Sequence, residues 1–171
     1  MSDVAVIAQL AAAVQPWADR YNDSTVLQSI VMFAHIAGVV LSGGAAVTTD
    51  RATLAAARRS PADRAQALVA LRSSHRAILI GLGVVLASGV LLLAADLETL
   101  LRATFFWVKM GLLVLLAVNG VLLMRAERPV AAGPGDVGAE RQWRTLSALS
   151  ISSLVLWFAL VLSSTFLVTS A

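Results

Sequence analysis

The chain has 171 residues, of which 58% are hydrophobic and 13% charged, with a formal net charge of +3. A domain this short cannot hide such an apolar excess in one core, because its surface-to-volume ratio is too high. The absence of cysteine excludes a disulfide scaffold, a thiol nucleophile and Cys-ligated zinc or iron–sulfur centres. The composition is that of an integral membrane protein.

Residues 1–25 come first in the chain. The apolar stretch Val4–Val14 follows Asp3 rather than a basic segment, so it lacks the form of a signal peptide, and it is too short to span a bilayer. Trp17 and Tyr21 point to an interfacial helix on the outer surface, with a loosely ordered tail as the alternative.

Residues 26–171 make up the transmembrane domain. Four apolar runs, Val26–Thr49, Ala77–Ala95, Thr104–Met124 and Leu146–Thr169, each match the ~20 helical residues that cross ~30 Å of hydrocarbon. None shows the alternation of a barrel strand. The predicted fold is all-α, a four-helix integral membrane bundle.

The connections set an orientation. The first carries Arg51, Arg58, Arg59, Arg64, Arg72 and Arg76 against Asp50 and Asp63, and the third carries Arg125, Arg128, Arg141 and Arg144 against Glu127, Asp136 and Glu140. The second holds Asp96, Glu98 and Arg102. Basic loops stay in the cytoplasm, so both termini are expected outside. These arginines flank spans and lack interleaved aromatics, so the lipid bilayer, not nucleic acid, is the expected partner.

The first connection is more than a link. Ser60-Pro61-Ala62-Asp63 reads as an N-cap, a first-turn proline and a first-turn acid. Leu68, Leu71, His75, Ile78, Leu82 and Val85 continue at helical spacing. The second helix therefore starts near Pro61 and runs through the membrane as one rod, and with an extended first helix it forms a cytoplasmic helical hairpin. Pro129–Gly138, with Gly133-Pro134-Gly135, reads as a flexible link.

An ionisable residue inside a span marks a functional position. His35 lies near the middle of the first span and Lys109 in the first third of the third. At ~1.5 Å per residue both fall in the outer half of the bilayer. Ser88 on the second helix and Ser163 or Ser164 on the fourth share that depth. Gln28, His35, Ser42 and Thr49 form a seven-residue polar stripe, and Ser153, Trp157 and Ser164 another, both marking helix contacts rather than lipid-facing surface. Each position has a plainer reading: back-bonded packing for the serines, an interhelical hydrogen bond for His35, snorkelling for Lys109. Asn119 reads as a hydrogen bond between helices.

His75 is the other histidine, but it lies ~16 Å to the cytoplasmic side of its helix midpoint. It therefore cannot share one iron with His35, and Asp50 is its expected partner. The spans as bounded contain no acid, which disfavours a proton-coupled transporter, and no broken-helix repeat appears.

The stretches Phe33-Ala34-His35-Ile36-Ala37-Gly38, Ser88-Gly89-Val90-Leu91-Leu92 and Trp107-Val108-Lys109-Met110 have a shared layout. It resembles that of small four-helix bacterial membrane proteins of the haem-associated protoporphyrinogen oxidase and CopD types, over roughly residues 30–124. That resemblance implies a bacterial inner membrane and haem b or porphyrin on His35. Leu41-Ser42-Gly43-Gly44 and Asn119-Gly120 depart from the family, which has a tryptophan and a Leu-Pro-Arg stretch at the first place and Tyr-His at the second.

Three functions follow. The first is a haem b or porphyrin-binding electron-transfer protein, with His35 as metal ligand and Lys109, Ser88 and Ser164 around the cofactor. The second is a non-catalytic subunit or scaffold that docks a membrane partner or a second copy. The third is a small-solute or metal carrier.

Overall fold

The computed structural model describes the backbone of residues 3–130 and 136–170, with side chains over 7–127 and 140–166. Its described residues form six helices and no strand: α1 (Asp3–Asp23), α2 (Thr25–Ala56), α3 (Pro61–Ala95), α4 (Leu97–Arg102), α5 (Thr104–Val130) and α6 (Asp136–Ser170). Four segments are long and apolar enough to cross a membrane: Thr25–Ala56, Pro61–Ala95, Thr104–Glu127 and Glu140–Phe166. The fold is the all-α multi-pass bundle expected from the sequence.

Burial is reversed relative to a soluble bundle. Phe33, Val40 and Phe158 are 73%, 67% and 67% exposed, while Ser42 and Ser150 are fully buried. Apolar side chains face lipid, and most hydroxyls, whose alternative is hydrocarbon, bond to carbonyls of their own helix. Ser42 donates to Gly38 O (2.7 Å) and Thr53 to Thr49 O (3.0 Å).

The helices stand in the order α3, α2, α6, α5, and α3 and α5 are not in close backbone contact. The tightest joint is between α2 and α3. A Cβ placed on Gly81 would lie 2.7 Å from Ser42 N, and one on Gly38 would lie 2.9 Å from Gly81 O. Only glycine lets the two backbones approach this closely.

The hairpin extends as predicted. Ser60 caps α3 through a full capping box with Asp63, and Pro61 opens the helix. Its arms pack together through Ala56, Ala67, Leu68 and Leu71, but they do not project alone. α6 begins about ten residues before Leu146, so Trp143 and Leu146 join the same core along with Leu123 of α5. Arg64 ties this end together. Its guanidinium bonds Ala57 O (2.6 Å), pairs with Glu140 (3.4 Å) and lies over the Trp143 ring. The expected link is correspondingly shorter: Pro129–Val130 and Asp136–Gly138 are helical, and Gly133-Pro134-Gly135 lies outside the described residues.

At the opposite end, α1 is a helix packed on α3, α2 and α4. Trp17 Nε1 donates to Leu91 O (2.9 Å), and Gln28 Nε2 closes the α1–α2 corner on Tyr21 O and Asn22 O.

Candidate functional site

Polar groups gather in two layers. The first lies near the end that carries α1. His35 Nδ1 is 3.0 Å from Ser88 Oγ, and Ser88 Oγ is 2.6 Å from Val84 O. A hydroxyl has one proton, and a carbonyl can only accept. The serine therefore donates to Val84 O, and His35 Nδ1–H donates to the serine. This fixes the tautomer and leaves the Nε2 lone pair free. Gly89 admits the ring, since a Cβ there would touch His35 Cε1 at 3.5 Å.

Lys109 is half-buried on α5, within electrostatic reach of His35. The structure thus brings His35, Ser88 and Lys109 to one level. Ser164 does not join them: its hydroxyl donates to Leu160 O of its own helix (2.9 Å), as does that of Ser163 (2.8 Å). For Ser164 the plainer reading, back-bonded packing, describes the contact seen.

Whether His35 can hold haem depends on its surroundings. It offers one axial donor. The second histidine, His75, lies about 20 Å further along α3 from Ser88, so one iron cannot reach both. His35 and Lys109 line neither the cavity beside Asp50 nor the one beside Gly43, and below Ser88 the α2–α3 interface is closed by Gly38 and Gly81. No group of three or more His, Asp or Glu side chains able to hold a metal occurs among the described residues. Neither of those cavities gives His35 a porphyrin-sized space inside the bundle.

The second layer, at the arginine-rich end, was not expected as a site. Asp50 is 2% exposed and Glu127 7%, and both lie within the membrane-crossing helices. Both stand just past the ends of the apolar runs, Thr49 and Met124, on helices that continue beyond them. The pairing differs from the expected one: His75 Nε2 is 3.8 Å from Glu127 Oε2, not paired with Asp50. That separation is an ion-pair distance, too long for a hydrogen bond.

Asp50 and His75 instead line one cavity of about 220 Å³, with Thr49, Asn119, Ser153 and Trp157. Asn119 donates to Leu149 O (3.1 Å), the expected bond between helices. Ser150 and Ser153 stand beside the Asp50 carboxyl. Even so, Asp50 Oδ2, Ser150 Oγ, His75 Nε2 and Glu127 Oε2 are all buried without a hydrogen-bond partner. A group left this way forfeits its desolvation energy, ~1–3 kcal/mol and more if charged. Asp50 and Glu127 lie about 34–37 Å along their helices from the α1 end, at the edge of the hydrocarbon.

No family model matches this chain, and neither a curated protein nor a solved structure shows significant similarity to it.

Proposed function

We propose that the protein is a membrane-embedded carrier of a small solute, with the cavity lined by Asp50 and His75 as its binding chamber. One observation carries this reading. Four unpartnered polar atoms cluster in and beside a single cavity, while the hydroxyls of the other layer are bonded. Buried polar groups are ordinarily satisfied, so a cluster of exceptions marks a place where a ligand supplies the missing bonds. The chamber lies between α3 and α5, whose backbones are not in close contact, which favours entry from that side. The arginine excess at the chamber end supports a cytoplasmic location for it with both termini outside, and the resemblance noted in the sequence supports a bacterial inner membrane as the setting.

The test is uptake into proteoliposomes of a panel of small cationic, neutral and anionic solutes. At least one should enter faster than into protein-free liposomes, and Gly120→Trp, which fills the chamber wall, should abolish that uptake. No uptake of any panel member, with helicity retained, would exclude a carrier.

A second reading rests on the free Nε2 of His35. In it, His35 ligates haem b on the outer face of the bundle, where a second membrane chain covers the porphyrin and Lys109 meets a propionate. The resemblance noted in the sequence supports it. A Soret band in the purified protein, lost in His35→Ala and kept in His75→Ala, is the expected result; a colourless protein after expression with added haem precursor would overturn it.

A further inference from the structure

The chamber's chemistry specifies what it would carry, an inference that rests on the carrier reading above. Asp50 is a buried carboxyl with no lysine, arginine or histidine in ion-pair range among the described residues. Its Oδ2 has no hydrogen-bond partner, and the residue lines a cavity together with Thr49, His75, Asn119 and Ser153, the rest of whose wall is mostly leucines, Ile78 and the Trp157 ring. A buried carboxylate is tolerated when a cation meets it. Arginines crowd this end of the sequence, yet Arg51, Arg72 and Arg76 are exposed and none is paired with Asp50.

A metal ion would need several His, Asp or Glu donors converging, and the described residues offer no such group. The orphaned atoms instead ask for a donor of two or three N–H bonds: Asp50 Oδ2 accepts, and Ser150 Oγ beside it can accept as well. A primary ammonium has three such donors. The chamber as a whole, about 220 Å³, is somewhat larger than the ~150 Å³ space that holds benzene in an engineered protein cavity. Trp157 adds a ring face that attracts a cation.

We propose that the chamber binds a primary organic ammonium with an apolar body of about benzene size, its nitrogen on Asp50 and Ser150 and its body against Leu116 and Trp157. His75 and Glu127, 3.8 Å apart beside it, form the polar wall on the arginine-rich side. Access through the α3–α5 seam suits such an amphiphile, which concentrates at the bilayer interface.

The full chain in lipid nanodiscs tests this by titration calorimetry against lipid-only discs, with benzylamine, benzyl alcohol, benzoate and benzyltrimethylammonium as probes. Benzylamine should bind at least about tenfold more tightly than benzyl alcohol, the scale of a hydrogen bond to a charged group. Asp50→Asn should remove that preference and leave the alcohol's affinity unchanged. Benzyltrimethylammonium, a cation without N–H donors, should bind more weakly than benzylamine. Equal affinity for amine and alcohol overturns the proposal, and so does a preference that survives Asp50→Asn. The probe comparison in the unsubstituted protein decides even if the variant does not fold. Benzylamine that binds while no panel solute is transported upholds the site and refutes the carrier. Transport of neutral or anionic solutes with no amine binding does the reverse.

Discussion

Gly81 and Gly83 are two residues apart on α3 and should respond oppositely to the same added methyl group. A Cβ on Gly81 meets backbone atoms of α2 at 2.7 and 2.9 Å, whereas one on Gly83 meets nothing within 4 Å. Gly81→Ala must push two backbones apart and should destabilise by ~1–3 kcal/mol. Gly83→Ala should be neutral or stabilise by up to ~1 kcal/mol, since alanine is the better helix former. Unfolding midpoints in detergent check both, and equal effects would mean that the α2–α3 contact is looser than described. His35 offers a second test at this scale. With Ser88 in place, nitrogen NMR should find the proton on Nδ1. In Ser88→Ala that preference should weaken, because the acceptor is gone.

For the helices, the tests concern ends rather than middles. Ser60→Ala removes the side chain that caps α3 and should cost about 1 kcal/mol. Glu140→Gln removes an exposed ion pair and should change stability by less than ~0.5 kcal/mol. Arg64→Ala should cost more, because it also removes the bond to Ala57 O and the contact with the Trp143 ring. The start of α3 was legible in the sequence because Ser60, Pro61 and Asp63 are local signals. The second layer was not legible, for a physical reason. Hydropathy ends a span at its first charge, so Asp50 and Glu127 were placed in loops, while the helices run on past both. The partner of His75 was likewise hidden, since spacing gives depth but not which helix stands opposite. His35, Lys109 and Ser88 could be matched in advance because depth alone was enough. Ser164 satisfied the same arithmetic but points its hydroxyl back at Leu160 O, a choice that depth does not determine.

Over the whole molecule, the orientation is open to labelling because the chain has no cysteine of its own. Arg58→Cys, exposed at the α2–α3 turn, should react with a membrane-impermeant thiol reagent only after cells are permeabilised. Glu98→Cys, exposed on α4, should react in intact cells. The opposite pattern would reverse the topology. A mechanical consequence follows from the glycine joint. With Gly38 and Gly81 in backbone contact, α2 and α3 behave as one stiff leaf, α5 and α6 as another, and the two share a spine where α2 meets α6 near Trp157. Away from the arginine-rich end, where a shared core and Arg64 latch them, the two leaves have a single soft coordinate, the angle at which they stand open. The lateral pressure of surrounding lipid acts directly on that angle, so the bilayer itself sets how readily the book is read.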